Sequence, residues 1–166
     1  MTRAPVAGGL VVRVAALLTL AFGAAHAQAV VSNGPRALLR LDAIAARSAA
    51  VQAGLGITVP AGTYLRLEAT VAGGPSRRDG AIVGGARADL LGRFLVDPFA
   101  QTTRGPYAGG GVSFRRDGGD RTRAYLLAVF GVEGRRRHGA YPALELGLGG
   151  GVRLGVALRG SPAGRR

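Results

Sequence analysis

The 166-residue sequence predicts an all-β fold, an eight-stranded antiparallel up-and-down β-barrel preceded by a cleaved signal peptide. Three observations predict it. The first 27 residues are organised as a secretory leader. The rest of the chain alternates with period two in segments of about ten residues. The breaks between segments carry turn residues and are too short to hold crossover helices, so neighbouring strands must run antiparallel.

In the leader, Arg3 and Arg13 give a positive start and Val14 to Phe22 is an uncharged apolar run. Ala25-His26-Ala27 supplies the small residues of a cleavage site. The apolar run is shorter than the roughly 20 residues a membrane helix needs. Cleavage is therefore expected after Ala27, leaving 139 residues, 166 less the leader's 27, which suits one domain. The leader's arginines are not adjacent, which favours the general secretion route over the twin-arginine one. Residues 28–35 read as a short lead-in, 36–160 as the barrel and 161–166 as a disordered basic tail.

Around the first strand, 36–47, the stretch from Arg36 to Ala53 is rich in alanine and free of glycine, a helical composition. Yet Leu39, Leu41 and Ala43 alternate with Arg40 and Asp42, and an eighth strand closes the sheet without leaving an edge. Strand 50–59 puts Gln52, Gly54, Gly56 and Thr58 on one parity and ends at Pro60-Ala61-Gly62. In strand 62–72, Leu65, Leu67, Ala69 and Val71 oppose Tyr64, Arg66, Glu68 and Thr70. The stretch from Gly73-Gly74-Pro75 to Gly84-Gly85 reads as a break. Strand 85–96 sets Ala88, Leu90 and Phe94 against Arg87, Asp89 and Arg93, and stops at Asp97-Pro98. Strand 105–116 carries Tyr107, Gly109, Gly111 and Ser113 on its polar face and ends at Asp117-Gly118-Gly119-Asp120. Strand 122–132 is apolar on both faces, so its phase is not readable. Strand 140–148 opposes Leu144, Leu146 and Leu148 to Glu145 and Gly147. After Gly149-Gly150-Gly151, strand 151–159 opposes Val152, Leu154, Val156 and Leu158 to Arg153, Gly155, Ala157 and Arg159.

The content of the polar face decides which face is inside. Glycine weakens a strand and gains nothing on a solvated surface. Small residues interleaved with large charged ones suit a crowded lumen, because eight strands leave room only for side chains. The charges there nearly balance: Arg40, Arg66, Arg87, Arg93 and Arg153 stand against Asp42, Glu68, Asp89 and Glu145. Buried charges must be paired, and arginine's fork matches a carboxylate. A lumen ion-pair network of these nine residues is expected, with leucine and valine outside. A nine- or ten-residue tilted strand matches the roughly 25 Å apolar band of a membrane barrel.

On the Thr63–Val71, Ala86–Asp97 and Val152–Arg159 alternations the mature chain resembles the small eight-stranded outer-membrane barrels, such as the transmembrane domain of outer membrane protein A and outer membrane protein X. The resemblance is one of architecture and pattern. It implies a cell outer-membrane location, a monomer, and insertion by the barrel-assembly machinery. That family usually ends on an aromatic residue, whereas the last residues here are Ser161-Pro162-Ala163-Gly164-Arg165-Arg166.

The formal charge is +13, and without the two leader arginines +11, all of the positive charge being arginine. Export argues against nucleic acid as its target, leaving outer-membrane lipid or lipopolysaccharide as the natural partner. Arg77, Arg78, Arg135, Arg136 and Arg137 are candidate anionic-lipid contacts. Cysteine is absent, so neither disulfides nor thiolate metal sites are available. The triple glycines at 109–111 and 149–151 are not followed by the lysine and helix of a phosphate loop. His138 lies in a basic loop with Ala140 where a serine nucleophile would be wanted. No catalytic residue, metal ligand or cofactor is expected. The competing readings are a soluble periplasmic barrel carrying an apolar ligand and, behind it, a lipid A-modifying enzyme.

Overall fold

The computed structural model describes residues 34–78, 80–96, 104–118, 121–135 and 137–160. The leader expected at 1–27, the lead-in as far as residue 33 and the tail at 161–166 lie outside the described residues. Among those described, the strands are β1 (Arg36–Ala45), β2 (Ala49–Pro60), β3 (Leu65–Arg78), β4 (Ala81–Leu95), β5 (Arg104–Asp117), β6 (Arg123–Gly134), β7 (Ala140–Leu148) and β8 (Val152–Gly160). Each pairs antiparallel with its sequence neighbours, and β1 pairs with β8 to close the barrel.

Closure explains why an alanine-rich segment is a strand. β1 is hydrogen-bonded on both sides, with Leu41 opposite Ala53 on one flank and Val156 on the other. A ladder on each side outweighs helix propensity, which amounts to only tenths of a kcal/mol per residue. β1 stops at Ala45, two residues short of expectation, and 46–48 make the turn.

The break expected between Gly73 and Gly85 is corrected. β3 continues to Arg78 and β4 starts at Ala81, so Arg78 faces Ala81 across a two-residue connection. Gly74 marks a close approach instead of a turn: a Cβ there would run into the carbonyl oxygen of Val51 in β2. Pairing of β2 with β3 holds at Ala50–Ser76 and Ala53–Gly73 and is interrupted between them, where Pro75 has no N–H to donate. Expected strand 62–72 also begins later, at Leu65, because 61–64 form the connection.

The unread phase of β6 is set by its neighbours. Leu127, Val129 and Glu133 are buried, whereas Leu126, Phe130 and Val132 are exposed, so odd positions face inward. Glu133, expected in a loop, is the last inward residue of this strand.

The connections fall at two ends. Among the described residues, 46–48, 80, 118, 121–122 and 149–151 lie at one, here the turn end. Residues 61–64, 96, 135 and 137–139 lie at the other, the terminal end, with Arg36 and Gly160. Inside, an apolar cluster of Leu38, Leu91, Leu95, Tyr107, Leu127, Val129, Ala143 and Ala157 packs among the charged side chains.

Candidate functional site: a charged lumen inside an apolar wall

Strand parity builds the site. In β1 the burial alternates without a fault, Arg36, Leu38, Arg40, Asp42 and Ile44 inward and the residues between them outward. All nine lumen candidates, Arg40, Asp42, Arg66, Glu68, Arg87, Asp89, Arg93, Glu145 and Arg153, are buried on the inner face.

Two clusters share Arg40. Toward the terminal end the hub is Glu145. Its Oε1 accepts from Arg159 at 2.6 Å, from the Tyr107 hydroxyl at 2.6 Å and from Arg93, while its Oε2 accepts from Arg40 at 3.0 Å. Glu68 accepts from Arg93 at 2.7 Å and from Arg40 at 3.3 Å, and Thr58 donates to its other oxygen at 3.3 Å. Arg66 pairs with Glu133 at 2.8 Å beside them. Toward the turn end, Arg40 clamps Asp42 with two parallel bonds of 2.8 and 2.9 Å. Arg87 also donates to Asp42. Asp89 receives Arg153 at 2.7 Å and Ser113 at 2.6 Å, and lies 3.1 Å from Arg87. At the turn-end mouth Arg115 pairs with Asp117 at 2.8 Å and donates to Ser48 at 3.1 Å.

The nine candidates are therefore brought together, but the network is wider than nine. Tyr107 lies between two guanidiniums, with Arg93 4.9 Å and Arg159 5.1 Å from its ring centre, an arrangement that draws the cations to the ring's negative faces. Arg159, Glu133, Arg115 and Asp117 are further members. Arg159 was visible on the polar parity of β8. Glu133 was hidden by the unread phase of β6.

Space for these long side chains comes from small inward neighbours. A Cβ on Gly155 would collide with Asp42 Oδ1. Charge thus fills the axis from Glu133 to Asp117, and guanidinium–carboxylate pairs at this density hold each other's geometry.

The outer wall is the reverse. Among the described residues twenty-two large hydrophobic side chains are exposed, among them Leu41, Leu55, Val71, Leu144, Leu154 and Leu158. Water-soluble monomers rarely expose contiguous apolar patches beyond a few hundred Å², and here the apolar face runs around the barrel.

The rim candidates do not form one patch. Arg77 and Arg78 are exposed at the turn end, Arg135 and Arg137 at the terminal end, and Arg136 lies outside the described residues. His138 is exposed in the β6–β7 turn with φ 48°. Among the described residues no group of three or more His, Cys, Asp or Glu side chains is arranged to hold a metal.

A closed eight-stranded barrel with charge within and aliphatic side chains without has the architecture of the small barrels the sequence resembles. Among solved structures, the N-terminal β-barrel domain of Pseudomonas aeruginosa OprF is similar, with a TM-score of 0.57 at 13% sequence identity, covering 76% of this chain and 97% of that one. At this identity the likeness is one of fold. No family model matches the sequence, and comparison with curated proteins finds no match.

Proposed function

We propose that the chain is an exported, non-enzymatic outer-membrane barrel with a structural or surface-interaction role, monomeric, its lumen plugged by arginine–carboxylate pairs. The observation that carries this reading is the inversion of its faces. Leu39 and Leu41 are half or more exposed, while Arg40 and Asp42, which alternate with them, are buried at 4% and 0%. Hydrocarbon outside stabilises the first pair, and mutual pairing inside stabilises the second. A soluble periplasmic carrier of an apolar ligand would instead need an apolar cavity on the axis, where this chain has Glu145, Arg93 and Arg159.

Outer-membrane lipid or lipopolysaccharide is the proposed partner of the exposed rim arginines, and the barrel-assembly machinery the proposed route of insertion. Cell fractionation followed by gels of unheated and boiled samples tests the membrane reading. The protein is expected in the outer-membrane fraction, with a mobility that shifts on boiling. Recovery in the detergent-free periplasmic fraction would overturn it. In planar bilayers a plugged lumen predicts no large, stable conductance.

A further inference from the structure

The outer wall is not uniform. On its β8–β1–β2–β3 side, alanine and glycine replace leucine near the turn end: Ala43, Ala45, Ala49, Ala53 and Gly73 all face outward there. Bulkier neighbours stand beside them, Val51 and Leu154 flanking Ala43 in register. The result is two adjoining open grooves of about 450 and 750 Å³, the first at the turn end and the second continuing toward Leu39 and Leu158. From Ala45 to Leu39 the trough extends about 20 Å along β1 at about 3.3 Å per residue, the length of an extended fatty-acyl chain.

One end of this trough is cationic. Arg77 lines the groove, pairs in register with Ala49 and Ile82, and is exposed. Arg47, also exposed, occupies the turn between the groove residues Ala45 and Ala49. Arg78, Arg116, Arg121 and Arg123 continue a basic rim at the same end. Among strand residues with described side chains, the exposed arginines are Arg77, Arg78, Arg116 and Arg123, and all four lie at the turn end. Toward the terminal end, Arg36, Arg66 and Arg159 are buried in the lumen.

An apolar trough capped by guanidiniums complements an amphiphile with hydrocarbon chains and phosphate at one end, since arginine binds phosphate bidentately. We propose that the trough seats acyl chains of a phosphorylated lipid of the lipid A type, with its phosphates on Arg47 and Arg77. This rests on the membrane reading above and deepens it: the turn end is the lipid-recognising rim, while Arg135 and Arg137 are not part of the site. Several arginines along one rim suit a headgroup carrying more than one phosphate, which selects lipid A over a singly charged phospholipid.

Native mass spectrometry of the folded protein, released from micelles containing bis-phosphorylated lipid A and phosphatidylglycerol at equal concentration, tests this. Retention of lipid A in preference to phosphatidylglycerol is expected. The Arg47→Gln/Arg77→Gln double variant should bind it about tenfold or more weakly, the loss of a charge-assisted contact. Ala49→Phe, which fills the groove, should weaken it likewise, and Arg135→Gln/Arg137→Gln should stay within about twofold of the parent. Gel mobility before and after boiling verifies that each variant is folded. Equal retention of dephosphorylated lipid A or of phosphatidylglycerol, an equal loss in the terminal-end variant, or a lipid-free species of two chains with the trough between them would overturn the proposal. If the protein inserts and shifts on boiling but retains no lipid A, the lipid site alone falls. If it does not insert, both readings fall.

Discussion

The Tyr107 hydroxyl donates to Glu145 Oε1 at 2.6 Å, from β5 to β7. Tyr107 is 3% exposed and its ring lies against the guanidiniums of Arg93 and Arg159, the same two groups that donate to that oxygen. The tyrosine therefore fixes the carboxylate and both its cations at once. Tyr107→Phe keeps the ring and removes the bond, for an expected loss near the low end of about 1.5–3 kcal/mol, because two arginines still reach Oε1. Tyr107→Ala removes the ring as well and should cost about 3–5 kcal/mol. Urea unfolding of the barrel in lipid vesicles reads both. Equal losses for the two variants would place the whole effect in the hydroxyl.

Glu145 is the acceptor of three guanidiniums, from Arg40, Arg93 and Arg159. Removing one partner of a buried pair leaves an uncompensated charge, so Glu145→Gln is expected to destabilise by about 3–5 kcal/mol. Arg93→Gln should be comparably harmful, and the double variant much less harmful than the sum of the two, since the second change removes a charge the first has stranded. Additive losses in the same unfolding measurement would mean that the two residues act independently.

How much of this was legible in the sequence follows from parity. In β3 and β4, Arg66 and Glu68, then Arg87, Asp89 and Arg93, each occupy a single parity against aliphatic neighbours, so the faces separate from composition alone. The closed eight-strand topology follows from short connections and the need to cover edges. In β6 parity carries no signal because Leu126 and Leu127 are alike, and only pairing with β5 and β7 decides which turns inward. That concealed Glu133, which keeps the inward parity of Leu127 and Val129. Gly74 and Pro75 resemble a turn for another reason. Turn residues and close-approach residues share a composition, and sequence does not show the neighbouring strand that makes the difference.

Gly155 and Gly110 separate lumen from wall by the same substitution. Gly155 faces the lumen, where a Cβ would meet Asp42 Oδ1 and comes within 3.4 Å of an Arg40 nitrogen. At Gly110, which is exposed, the nearest atom to a Cβ is the Leu127 carbonyl oxygen at 3.7 Å. Gly155→Val is expected to cost about 1–3 kcal/mol through overpacking, and more if it breaks the Arg40–Asp42 clamp. Gly110→Val should be neutral or stabilising, because a β-branched residue suits an outward strand position. Folding yield into detergent micelles and the unfolding midpoint both report the contrast.

Leu41 gives the test that distinguishes the environments of the wall. It is 55% exposed near the middle of β1, between buried Arg40 and Asp42. If hydrocarbon surrounds it, Leu41→Arg places a guanidinium in the bilayer, at a cost of about 2–4 kcal/mol near the midplane. If water surrounds it, the same change is a surface substitution within about 0.5 kcal/mol and should improve solubility. The variant is therefore expected to fold poorly into vesicles and to unfold at markedly lower urea. Ala37→Arg, nearer the terminal end of the same face, should lose less, because the arginine can reach the headgroups. A depth-dependent penalty of that sign has no counterpart in an aqueous barrel, so equal and negligible losses at both positions would return the leucines to water.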